Sequence, residues 1–107
     1  MIELPKIIKD ITMEEQQNSG TVSDTIKLKQ EVLANGMSVD YVLYRERSGT
    51  RVFYSMKISL YDTSESVFIR DITGSPNEAH HIFDLVTHGT VTPCCAIEVI
   101  EDLIETL

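Results

Sequence analysis

Apolar and polar residues alternate along most of the chain between Thr25 and Thr73, and turn residues interrupt the alternation at three places. A period of two marks strands with one buried face. The clearest case runs from Ser38 to Asp62 around Arg47-Ser48-Gly49-Thr50. A two-residue loop at Ser48-Gly49, with glycine supplying the positive φ, makes this a long hairpin. Arg47 then faces Thr50, Leu43 faces Tyr54, Tyr41 faces Met56 and Val39 faces Ile58. The last three pairs share one face. The other face pairs Glu46 with Arg51, Tyr44 with Phe53 and Asp40 with Lys57, and two of these pairs carry opposite charges.

Two further turns extend the sheet. Ile26, Leu28 and Val32 alternate with Lys27, Lys29 and Glu31 ahead of Asn35-Gly36, a strong hairpin signal. A two-residue loop there sets Val32 opposite Val39 and Leu28 opposite Leu43. An even-length loop centred on Thr63-Ser64 sets Leu60 opposite Val67 and Ile58 opposite Ile69. The expectation is a four-stranded antiparallel meander. One face carries Ile26, Leu28, Val32, Val39, Tyr41, Leu43, Tyr54, Met56, Ile58, Leu60, Val67 and Ile69.

That face needs a cover. Ser75-Pro76-Asn77-Glu78 is a helix start, with Ser as N-cap, Pro in the first turn and Glu placed for a capping box. Ala79, Ile82, Phe83 and Val86 form its apolar stripe, and Gly89 stops it after His88. Thr92-Pro93 starts a second helix striped by Ala96, Ile97, Ile100, Leu103, Ile104 and Leu107. The predicted fold is ββββαα, an α+β domain with both helices on one sheet face. Ahead of it, residues 1 to 13 carry Ile2, Leu4, Ile7, Ile8 and Ile11, compatible with a strand or with a short helix starting near Pro5. Glu14 to Ser23 is polar and reads as a linker. The division is an arm and linker over 1–23 and one domain over 24–107.

Charge narrows the partners. The formal charge is −8 and no basic stripe exists, which argues against nucleic acid. No apolar run approaches the roughly 18 residues of a membrane span, and the first residues show no signal-peptide pattern. The two cysteines, Cys94 and Cys95, are adjacent, so no structural disulfide is expected and the cytosol is the plain setting. No phosphate loop, nucleophile elbow or dinucleotide fingerprint occurs, and no cofactor is implied.

Four groups of residues carry candidate chemistry. His80, Asp84 and His88 recur at one-turn intervals with His81 beside them, and Cys94 follows six residues after His88. These are metal-ligand types, but neither HExxH nor a paired CxxC is present, and a covering helix needs a solvated polar face. No metal ligand and no catalytic residue is therefore assigned; a metal-binding or thiol-dependent protein using this cluster is the alternative function. Cys94 sits where a helix N-terminus favours a thiolate, though Glu98 one turn on opposes it; Cys95 reads as a small core-edge residue. Glu98, Glu101, Asp102 and Glu105 make an acidic face on the last helix, with Glu101 and Glu105 repelling one another. Finally, Val42, Tyr44, Phe53 and Phe68, with Ile72 as a further candidate, point away from the helices. Apolar residues on that face suit a dimer interface, a partner surface or a dock for residues 2–11.

The stretches Phe53 to Ser59 (FYSMKIS), Val67 to Thr73 (VFIRDIT) and Val91 to Glu105 (VTPCCAIEVIEDLIE) resemble a family of small proteins from clostridia and related Firmicutes, classed as a domain of unknown function. The likeness covers roughly residues 39 to 105. It implies the same order of strands and helices and a bacterial cytosolic setting, and it supplies no activity. The expected function is a small non-enzymatic interaction or regulatory domain that binds a protein partner or itself through the outer sheet face. On that expectation, Phe53→Asp keeps the fold and abolishes association.

Overall fold

Four antiparallel strands in chain order form one sheet, and two helices follow. The computed structural model describes residues 21–61 and 63–106. The strands are β1 (Thr21–Val32), β2 (Ser38–Ser48), β3 (Arg51–Leu60) and β4 (Ser66–Thr73); the helices are α1 (Pro76–His88) and α2 (Pro93–Glu105). This is the ββββαα, α+β arrangement that the hydrophobic pattern predicts. The chain enters the sheet at Thr21, so Thr21–Ser23 are strand residues rather than linker. The reading of residues 1–13 as a strand or a helix lies outside the described residues.

The faces of β2 and β3 are as expected, but the register is not. Ser48 pairs with Arg51, so the loop is Gly49-Thr50, with Gly49 at φ +64° in the first loop position. A glycine there suits a type II′ turn, which leaves the second position to an ordinary residue such as Thr50. Leu43 therefore faces Met56, Tyr41 faces Ile58 and Val39 faces Leu60. A shift of two residues keeps every side chain on its face. It does break the expected charge pairs. Glu46 lies opposite Phe53, and Asp40 lies opposite Ser59 and accepts instead from Gln30 at 2.8 Å.

The first hairpin differs more. Leu33 and Met37 are joined by a 2.7 Å backbone bond, and the Gly36 amide donates to the Leu33 carbonyl. The loop is Ala34-Asn35-Gly36, with Gly36 at φ +91°. That is a three-residue loop closed by a left-handed glycine, the next most common hairpin after the two-residue kind. An odd loop flips the strand. Val32 faces Ser38 and Leu28 faces Val42, so Leu28 and Val32 lie on the outer face and not under the helices. Lys27 and Lys29 take the helix side. A bulge between Thr25 and Lys27 turns Ile26 inward, where it packs on the core edge with Leu33.

At the third turn Ile58 faces Val67 and Met56 faces Ile69, again two residues from the expected register and on the expected face. A second bulge lies between Tyr54 and Met56 on their β4 partners, where Asp71 adopts φ +60°. It carries Ile72 into the helix-side core, against the expectation that this residue faces outward.

Both helices pack on the face formed by Val39, Tyr41, Leu43, Tyr54, Met56 and Ile58, adding Ala79, Ile82, Phe83, Val86, Ala96 and Ile100. Full burial of such side chains stabilises the fold by about 1.5–3 kcal/mol each before entropy is counted. The Ser75 hydroxyl caps α1 by accepting from the Glu78 amide. The expected capping box closes through a relay: the Thr73 hydroxyl donates to Glu78 and accepts from the Ser75 amide. At the other end Gly89 is right-handed, and Thr90 takes the left-handed position at φ +50°. The Thr90 amide donates to Thr87 and the Val91 amide to Val86, a Schellman closure with threonine where glycine is usual.

Candidate functional site

The outer sheet face is built from residues that β pairing brings together from all four strands. Its centre is polar and buried. Glu46 is 5% exposed; its carboxylate accepts from Ser55 Oγ at 2.6 Å and from Ser23 Oγ at 2.8 Å. Arg70 Nε lies 3.6 Å from the same carboxylate. Ser55 in turn accepts from the Asp71 amide at 3.0 Å, and the Asp71 carboxylate meets Arg51 at 2.6 Å. The chain of contacts thus runs from β1 across β2 and β3 into the β4 bulge. Both Glu46 carboxylate oxygens have partners, as a buried carboxylate requires, and the Ser55 hydroxyl both donates and accepts.

Aromatic rings flank this network. Phe53 lies beneath two guanidinium groups, Arg51 at 4.8 Å and Arg70 at 5.6 Å from the ring centre. Tyr44 meets Phe68 edge to face at 5.7 Å. The aromatic neighbours are therefore Tyr44 and Phe68, not Tyr44 and Phe53, because Tyr44 lies opposite Ser55. Phe53 and Phe68 are only 3% and 4% exposed. A charge at Phe53 would disturb the fold, so Phe53→Asp does not test association cleanly.

What the network can do follows from its access. Ser55 is fully buried and its hydroxyl is committed to Glu46 and Asp71. The three histidines all lie on α1, on the other side of the sheet. The base beside the hydroxyl is the Glu46 carboxylate, itself buried and shared with Ser23 and Arg70, and no histidine stands next to it among the described residues. The arrangement ties strands and fixes the β4 bulge. Reading the sequence alone missed it because the expected register put Glu46 opposite Arg51. The available signal was a carboxylate set among aromatic and serine positions of one face.

The open part of this face is the β1 margin. Leu28 is 71% exposed and Val32 66%. Val42 pairs with Leu28 and is half-buried. A shallow groove of about 390 Å³ lies here, with Leu28, Gln30, Asp40 and Val42 among its lining residues.

The His/Asp/Cys cluster is not assembled. Asp84 pairs with Lys27 at 3.1 Å, and His88 Nδ1 contacts the Asp84 carbonyl at 2.9 Å. Among the described residues no three histidine, cysteine, aspartate or glutamate side chains come close enough to hold a metal ion. Cys94 and Cys95 are both exposed, with sulfurs 3.7 Å apart. Cys95 is thus a surface residue, not a core-edge one, because it begins the outward side of α2. Its hydrogen bond to Cys94 raises the Cys95 pKa, which disfavours a thiolate there. Glu98, Glu101, Asp102 and Glu105 are all exposed on α2 and form no ion pair with another described residue. Neither helix is long and apolar enough to cross a membrane.

No curated protein and no solved structure matches the chain. A family model does, over residues 21–106, which begins at the first residue of β1 and ends just past α2. The chain therefore belongs to DUF6514, a family of unknown function.

Proposed function

We propose that this chain is a small protein-interaction module that associates with a second copy of itself through the β1 margin of the outer sheet face. The observation that carries this reading is the exposure of Leu28 and Val32, 71% and 66%, beside the half-buried Val42. Single exposed apolar residues are ordinary, but here Leu28 pairs directly with Val42, and Val32 follows on the same face beyond the Gln30–Asp40 pair. Face-to-face contact suits this margin better than strand addition at its edge. The β1 edge is bulged at Ile26 and carries Lys27, Lys29 and Glu31, features that blunt edge pairing. A two-fold contact would set the same patch of each copy against the other. Two free thiols fit a reducing compartment, and we place the module in the cytoplasm.

The test is the double variant Leu28→Asp with Val32→Asp, measured by light scattering and sedimentation beside the unaltered chain. Both side chains are largely in water, so the fold survives the change. The expected result is twice the monomer mass for the unaltered chain and the monomer mass for the variant. An unaltered chain that stays monomeric across the accessible concentrations, or a variant that keeps the dimer mass, overturns the reading.

A further inference from the structure

We infer that Cys94 and Cys95 form a site of reversible modification by low-molecular-weight disulfides, in which Cys94 attacks and Cys95 resolves. They are the only cysteines of the chain, and both are exposed at the start of α2. Their sulfurs lie 3.7 Å apart. An accessible thiol with a second thiol beside it is the arrangement that thiol oxidation selects. The pair has no part in the β1 margin, so the inference does not rest on self-association.

The surroundings distinguish the two sulfurs. Thr92 is the N-cap of α2, yet its side chain makes no cap bond to the helix. Its hydroxyl lies instead 3.4 Å from Cys94 Sγ. The Cys94 sulfur therefore has two donors within reach, the Thr92 hydroxyl and the Cys95 thiol. Hydrogen bonds to a charged sulfur favour the thiolate. The first turn of α2 also holds no acidic side chain, so the positive end of the helix adds to the effect. Cys95 has the opposite setting. Its bond to Cys94 raises its pKa, and it keeps its proton while Cys94 reacts.

The chemistry balances with the small disulfide as the oxidant. The Cys94 thiolate attacks one sulfur of that disulfide and expels the other half as a thiolate, leaving a mixed disulfide on Cys94. Cys95 gives its proton to the expelled thiolate and attacks the Cys94 sulfur. The second small thiolate then leaves and takes up the proton that Cys94 gave to solvent. Both thiols of the chain are oxidised to one disulfide, and the small disulfide is reduced to its two thiols. Adjacent Cα atoms are about 3.8 Å apart, closer than the roughly 4.4–6.8 Å of ordinary disulfides. The bridge is strained, and it must open the first turn of α2, where the Cys95 amide donates to the Thr92 carbonyl at 3.1 Å. A strained, exposed disulfide is readily reduced, so a small thiol reverses the change.

The experiment treats the full chain with oxidised glutathione and follows it by intact mass and peptide fragmentation. The unaltered chain should become lighter by the hydrogens of both thiols, and reduced glutathione should restore it. Cys95→Ser should stop at a glutathione adduct on Cys94. Cys94→Ser should react roughly tenfold more slowly, because a thiol that keeps its proton is a poor nucleophile. A stable adduct on the unaltered chain, a disulfide between copies, or a bridge that reduced glutathione leaves intact overturns the proposal. Equal rates for the two serine variants overturn it as well. Should either variant fail to fold, pulsed alkylation of the unaltered chain decides. Cys94 labelled ahead of Cys95 supports the assignment, and equal labelling or the reverse order overturns it.

Discussion

The Tyr41 hydroxyl donates a 2.8 Å hydrogen bond to the Val91 carbonyl, joining the middle of β2 to the short connection between the helices. The ring is fully buried, and its pKa is pushed up to about 12, first by burial and then by the charge of Glu31. The bond explains how a four-residue connection holds α1 and α2 at a fixed height on the sheet: its Val91 carbonyl is anchored to a core side chain fifty residues earlier in the chain.

Tyr41→Phe should lower stability near neutral pH by about 1 kcal/mol, the usual net worth of one such bond. The alkaline limb should then separate the two proteins. The folded pKa lies above the unfolded value of 10, so the tyrosine's contribution is complete below pH 10 and is lost between pH 10 and 12. That loss amounts to about 2–3 kcal/mol for a shift of this size. The variant lacks the group and escapes that loss, so the two denaturation midpoints should cross as pH rises past 10. Urea titrations at a series of pH values check this, and parallel pH profiles would refute it.

Thr90→Gly should stabilise the protein. Thr90 holds φ +50° to complete the Schellman closure of α1, a conformation that a β-branched residue adopts at a cost. Glycine removes the strain but adds freedom to the unfolded chain, leaving a net gain of about 0.5–1 kcal/mol. Thermal melting should show a midpoint higher by a few degrees.

Glu46→Ala should be among the most damaging single changes on the outer face. It strands the hydroxyls of Ser23 and Ser55 and the Arg70 side chain. A loss of about 2–4 kcal/mol is expected from these unpaired groups. Ser55→Ala alone should cost about 1–2 kcal/mol by freeing the Asp71 amide as well as Glu46. The double variant should cost less than the two losses added, because both changes break one network. Additive losses in denaturant titrations would mean the contacts act independently.

Lys27→Ala should matter little. Lys27 spans the sheet-to-helix gap, contacting Asp84 at 3.1 Å and lying 5.4 Å from the Phe83 ring centre. Both ends of the ion pair are substantially in water, so the change should cost less than about 1 kcal/mol and the difference should shrink in high salt.

The sequence by itself determined the order of the elements, the face assignments of β2 and β3, and both helix starts. Alternation decides which face a strand residue occupies, and a two-residue slip leaves that unchanged, as the pairs Leu43–Met56 and Ile58–Val67 demonstrate. Ser75 and Thr92, each followed by proline, mark helix starts through local chemistry. Tertiary structure alone decided what turns on parity. Asn35-Gly36 serves a two-residue loop or the end of a three-residue one, and the choice moves Leu28 and Val32 from the core to the surface. Bulges at Ile26 and Asp71 likewise change parity within a strand, and neither carries a local mark strong enough to place it. The exposed β1 margin follows from the first of these decisions, while the Glu46–Ser55 network follows from the loop at Gly49-Thr50 together with the β4 bulge. They lay beyond the reach of local pattern because loop length and bulge position are selected by how the whole face packs.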